Sequence, residues 1–188
     1  MDTSATATRI AVIGVGNDYR RDDGVGRAVV TRLAQRGQYR PLSRGVTLMC
    51  TDGEPTRLIG AWEDVRLAVI VDAAHARPAR PGRVHRLRLR LRLRLDGDLP
   101  QTRWGETSSH GFALGDAVRL ARALGRLPGA LLVYAVEAAD TRLGTGLSPP
   151  VAAAVGPLVQ RIEEDLVRHA PAVGETGLLA PAPRHTAR

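Results

Sequence analysis

The sequence predicts an α/β fold, a three-layer sandwich in which a mostly parallel sheet lies between helices on both faces. Two short β-branched apolar runs without polar alternation, Ile10 to Val15 and Leu67 to Val71, read as strands buried on both sides, as parallel sheets require. Amphipathic stretches of helical period separate the strand candidates, so that strands and helices alternate along the chain. The 188 residues, 44% of them hydrophobic, suffice for one full core, and a single domain is expected.

The first strand empties into the glycine turn of Gly14-Val15-Gly16, then Asn17 and the acid pair Asp22-Asp23. A helix over residues 24–35 follows, with Val25, Ala28, Val29 and Leu33 at helical spacing and Asp22 or Asp23 placed to cap its first amides. Val46–Thr51 predicts the second strand, in which Cys50 reads as a small buried core residue. Pro55 opens a helix over Pro55–Trp62, a position where its missing N–H costs nothing. The third strand, residues 67–71, ends directly in Asp72. A helix over residues 111–124 has Ser109 and His110 at its entrance, a strand spans 130–136, and a closing helix spans 150–167. Residues 1–8 are expected to be a disordered N-terminus and residues 170–188, rich in Pro, Ala and Gly, a disordered tail, which leaves 9–169 as the folded domain.

The formal charge of +8 is concentrated rather than general. Residues 85–95 read HRLRLRLRLRL, and without Arg86, Arg88, Arg90, Arg92 and Arg94 the balance falls to +3. Strict alternation predicts a strand with one apolar and one charged face, an edge strand whose solvated arginines deter edge-to-edge pairing. Aromatic residues make up only 3% of the chain, which argues against base stacking and a nucleic-acid partner. No apolar run approaches the ~18 residues of a membrane span, and the polar residues 1–8 lack the core of a signal peptide. The single cysteine excludes an intramolecular disulfide and suits a reducing cytoplasm.

A phosphate or dinucleotide loop is the obvious rival for the first turn. The third glycine of G-x-G-x-x-G would fall at Tyr19, however, and no Lys-Ser or Lys-Thr pair follows as a P-loop requires. Two acids at a helix start would also occupy its amides and repel an anion, by about 3 kcal/mol at ~5 Å and an effective dielectric near 20. A cation is the better guest. In open α/β sheets ligands sit beyond the carboxyl ends of the strands, and that rule gathers Asn17, Asp22 and Asp23 after strand one, Asp52 and Glu54 after strand two, Asp72 after strand three and Glu137 at the end of a later strand, with His110 opening a helix. Two carboxylates and an imidazole from three such segments make a partial coordination sphere for a borderline divalent metal. Each has a structural alternative as a cap or loop hydrogen-bonder.

The segments GVGNDYRRDDGVG, DGEPTRLI, VIVDA, SSHG and GTGLSPPV follow in order the pattern of the hydrogenase maturation proteases, and the chain resembles that family over roughly residues 9–166. The resemblance implies a twisted five-stranded sheet between helices. It also implies an endopeptidase that removes a C-terminal peptide from the large-subunit precursor of a nickel-iron hydrogenase after nickel insertion. Asp23, Asp72 and His110 would take the family's metal-binding positions and complete the coordination of a nickel carried by the substrate's cysteines, with no organic cofactor. The metal would polarise the scissile carbonyl or a water while a neighbouring acid accepts a proton, with Glu54, Asp22 and Asp52 as candidates and Asn17 in support. The partner is then the precursor, with neither nucleic acid nor membrane; the oligomeric state stays open, a monomer being favoured. The chain departs from many relatives in having Glu54-Pro55-Thr56 where they have Gly-Thr. A non-catalytic nickel-checking chaperone and a nucleotide-binding regulator are the alternative functions.

Overall fold

The computed structural model describes residues 9–43, 45–89 and 111–169, with only the backbone for 111–113. Strands β1 (Ile10–Val15), β2 (Val46–Thr51), β3 (Leu67–Ala74), β4 (Val84–Leu89) and β5 (Ala130–Glu137) form one sheet in the order β2-β1-β3-β5-β4. Every neighbouring pair is parallel except β4 with β5, so the sheet is mostly parallel with one antiparallel edge. Helices α1 (Val25–Gly37) and α4 (Pro149–His169) cover one face, α2 (Pro55–Trp62) and α3 (Gly111–Ala123) the other.

β1, β3 and β5 are the central strands and are buried almost throughout, which is why they read as continuous apolar runs. Val12, Val69, Val71 and Leu132 pack with Val29, Leu33, Leu158 and Ile162 on one side. Ile13, Ile70, Leu131 and Val133 pack with Leu58, Trp62, Ala117 and Ala121 on the other. A fully buried side chain of this size contributes about 1.5–3 kcal/mol, so these two layers hold the sheet.

Sequence and structure part company in four places. Neither Asp22 nor Asp23 caps α1: a 3-10 turn, Arg21–Gly24, precedes it, and Gly24 at the N-cap offers no side chain. β3 runs on from residue 71 to Ala74 because β5 pairs with it that far, so Asp72 lies within the strand. Cys50 is exposed, because β2 is an edge strand whose outward residues no helix fully covers. The arginine strand is indeed at an edge, but Arg86 is not solvated in the expected way. Its guanidinium makes two hydrogen bonds, 3.0 and 2.9 Å, to the fully buried Asp165 of α4, and it bonds the Tyr134 hydroxyl, which donates to the same carboxylate. Arg88 is exposed as expected. Residues 90–95 of the repeat, His110, and the termini expected to be disordered lie outside the described residues.

The strand order reverses between β1 and β3. From β1 the chain crosses to β2 on one side and then returns to β3 on the other, which opens a crevice at their carboxyl ends. α3 ends beside the start of β3, where Gly129 donates to the Val65 carbonyl and Arg126 pairs with Glu63, so its first residue, Gly111, lies at the carboxyl edge with that crevice.

Candidate metal-recognition and catalytic site

Glycines bring the two halves of the site together. Gly26, in the first turn of α1, lies so close to β1 and β3 that a Cβ there would fall 2.4 Å from the carbonyl oxygens of both Val15 and Val71. Asp23, just before that turn, and Asp72, directly after Val71, are therefore both placed at the switch point, buried at 2% and 4% exposure. Gly16 has φ +128° and turns the chain under Asp23, whose carbonyl oxygen would lie 1.8 Å from a Cβ.

The intervening loop is an anchored turn. Asn17 Oδ1 accepts the Tyr19 amide at 2.9 Å, an Asx turn, and the Arg20 amide donates to the Asn17 carbonyl. The Asn17 amide in turn donates to Asp23 Oδ2 at 2.9 Å. In a phosphate loop that amide would face the anion; here a carboxylate holds it, the physical form of the argument against a nucleotide.

Asp22 points the opposite way, into the loop between β5 and α4. It accepts from the amides of Ala139, Asp140 and Ser148 at 2.8, 2.9 and 2.6 Å and from the Ser148 hydroxyl at 2.8 Å. Burial works to raise its pKa, but the bonds from Ser148, Asp140 and Ala139 outweigh it and hold the carboxyl below its usual range. Backbone bonds from Asp22 to Asp140, from Arg21 to Gly144 and from Gly144 to Tyr19 lace the two loops together. Arg21 has φ 47° within this lacing and reaches Asp140 at 3.4 Å. The 139–148 loop is thus tied to the turn that carries Asp23. The only sequence signal for it was the GTGLSPP stretch, which includes Ser148.

Asp52 and Glu54 stand apart from this pair, at the start of α2. Glu54 is the N-cap, accepting from the Thr56 and Arg57 amides and the Thr56 hydroxyl, and Pro55 fills the first helical position. Asp52 accepts the Glu54 amide and pairs with Arg57 at 2.6 Å. The Thr56 hydroxyl lowers the pKa of Glu54, and the Glu54 amide, against slight burial, that of Asp52. The Glu-Pro-Thr departure therefore builds a helix start. Among the described residues no three His, Cys, Asp or Glu side chains could hold a metal ion, so a three-ligand site needs a residue from outside them, as His110 is.

A family model described as hydrogenase maturation protease matches residues 28–165, well over half of the chain. The chain belongs to the hydrogenase maturation protease family. It is a peptide hydrolase by that membership. The Hydrogenase 2 maturation protease of Escherichia coli K12 is 27% identical over 154 residues, covering 82% of this chain and 88% of that one. Among solved structures, the E. coli hydrogenase maturating endopeptidase HybD is 26% identical, with a TM-score of 0.65 and coverage of 85% of this chain and 93% of that one. A hydrogenase 2 maturation peptidase from a Thaumarchaeota archaeon is 28% identical, with a TM-score of 0.62 and coverage of 84% and 97%. The protease shares their mostly parallel five-stranded sheet with helices, and among its described residues no helix is long and apolar enough to cross a membrane.

Proposed function

We propose that this protease removes a C-terminal peptide from the large-subunit precursor of a nickel-iron hydrogenase once nickel has been inserted, and that it recognises the nickel on the substrate. The observation that carries the reading is the placement of two buried carboxylates, Asp23 and Asp72, at the strand-end switch point of a hydrogenase maturation protease. Carboxylate oxygens and an imidazole nitrogen suit a borderline divalent ion. Asp23, Asp72 and His110 complete the coordination of an ion that substrate thiolates already hold, and so dock the scissile bond beside it. Asp22 ties the 139–148 loop to the turn that carries Asp23, and Asn17 fixes that turn. The nickel arrives and leaves with the substrate and serves the cleavage as a Lewis acid next to the carbonyl.

Intact-mass spectrometry of nickel-loaded and nickel-free precursor, each incubated with the purified protease, tests the reading. Loss of a C-terminal peptide from the loaded form alone is expected. Equal cleavage of both forms removes nickel from recognition, and a stable complex with no change in mass favours the chaperone.

A further inference from the structure

The three carboxylates offered as proton acceptors are committed to other work: Asp22 takes four donors, Glu54 caps α2 and Asp52 holds Arg57. A carboxylate and an imidazole that none of these roles uses stand together at the same sheet edge. Glu137, the last residue of β5, is 1% exposed; it accepts the Arg80 amide on Oε2 and faces Nε2 of His85 with Oε1 at 2.7 Å. Burial raises the pKa of Glu137, yet the bonds from Arg80 and His85, with the charge of Arg83 nearby, overcome it and keep the carboxyl below its usual range. An ionised carboxylate only accepts, so the shared proton sits on Nε2 and a neutral imidazole carries its lone pair on Nδ1. The His85 side chain is 38% exposed, and among the described residues nothing bonds Nδ1.

The strand register places this pair relative to the site. Asp72 on β3 is level with Ala135 on β5, and Ala135 is level with His85 on β4. Residues level across neighbouring strands share a face, here the one packed by α2 and α3, to which Ile70, Val133 and Leu89 also belong. Two strand spacings put the Cα atoms of Asp72 and His85 about 10 Å apart. The residue between them on the sheet is Ala135, whose side chain is only a methyl group.

We infer that His85 is a catalytic residue of the cleavage, carrying a proton from the attacking water to the leaving amine, and that Glu137 is its positioning residue. The inference rests on the proposed function. The water oxygen bonds to the scissile carbonyl carbon while one of its protons passes to Nδ1. The C–N bond then breaks with its electron pair going to nitrogen, which takes the proton back from Nδ1. The products are the new C-terminal acid and a free amine, and the imidazole returns neutral. A general base of this kind contributes about 10²- to 10⁴-fold.

The test follows cleavage of nickel-loaded precursor by wild type, His85→Gln and His85→Gly, alongside precursor binding and thermal melting. Gln keeps an N–H for Glu137 but has no group to carry the proton. The expected result is a fall in cleavage rate of about 10²- to 10⁴-fold in His85→Gln with binding and melting retained, and partial recovery of His85→Gly on adding imidazole. Wild-type cleavage rates in His85→Gln overturn the inference and leave the proposed function standing. So does a folded His85→Gly that imidazole does not rescue, or a loss of binding that accounts for the whole loss of rate, since either makes the pair a structural tie for the loop at Arg80. A wild-type protein that leaves the loaded precursor uncut overturns both readings.

Discussion

Adjacent carboxylates with opposite duties make a sharp experiment. Replacing Asp22 by Asn removes the charge from an acceptor of four hydrogen bonds and sets an NH2 group against the amides of Ala139, Asp140 and Ser148. Bonds to a charged acceptor are worth about 1.5–3 kcal/mol each, and donors left unsatisfied add to the cost. Loop relaxation and water recover part of it, so the expected loss is about 3–5 kcal/mol, as when one partner of a buried charged set is removed. That is a large share of a typical total of about 5–15 kcal/mol. Asp23→Asn is different, because the amide oxygen still accepts from Asn17, and its expected cost is under about 1 kcal/mol. Urea unfolding followed by circular dichroism, with precursor cleavage measured in parallel, separates the two. Asp22→Asn should lower the urea midpoint strongly, and Asp23→Asn should keep the midpoint and lose cleavage. An unchanged midpoint in Asp22→Asn, or full cleavage by Asp23→Asn, refutes the division of labour. The pH dependence has a definite sign: the folded pKa of Asp22 lies below its ordinary 3.8, so its contribution is present above that value and is lost as pH falls through the lower folded one. Wild-type stability should therefore drop on acidification below about pH 4, and the drop should be shallower in Asp22→Asn.

Other perturbations probe the frame around the site. Arg86→Ala takes two hydrogen bonds from the buried Asp165, which keeps Tyr134 and Arg168, and should cost about 1.5–3 kcal/mol in chemical unfolding, whereas the exposed Arg88→Ala should stay within about 0.5 kcal/mol. Burial and donation to Asp165 push the Tyr134 hydroxyl from 10.0 up to about 12, so its contribution is complete below pH 10.0 and is lost as pH rises towards 12. Tyrosine absorbance should show a step near 12 that Tyr134→Phe abolishes. Gly26→Ala drives a methyl into two backbone carbonyls and should lower stability by about 1–3 kcal/mol or more, with cleavage lost as Asp23 and Asp72 are pushed apart.

What the sequence made legible is what local chemistry decides. β1, β2 and α2 have the bounds read from sequence, because an apolar run met a glycine turn, or Glu54-Pro55 opened a helix, within a few residues. The polar residues at the carboxyl ends of the strands were legible too, since a parallel sheet orders those ends along one edge. The partners of Asp22 lie 117 to 126 positions away, and no window around the acid pair holds them; hence the sequence offers a helix cap or a loop hydrogen-bonder without showing which loop it anchors. Arg86 likewise finds Asp165 79 positions on, which ties one arginine of a solvated face to a buried carboxylate. Cys50 is exposed because of where β2 falls in the sheet order, a property of topology rather than of its apolar neighbours. His85 was hidden as the first letter of the arginine repeat, and only the pairing of β4 with β5 sets it beside Glu137.

In the proposed function the protease's own carboxylates and imidazole join the coordination of a nickel that the substrate carries. Nickel X-ray absorption on the loaded precursor, alone and then freeze-quenched with the protease before cleavage, tests it most directly. Oxygen and nitrogen donors should join the sulfur donors when the complex forms, and Asp23→Asn should weaken this change. A nickel spectrum identical with and without the protease, in a sample shown to have bound and gone on to cleave, would contradict it.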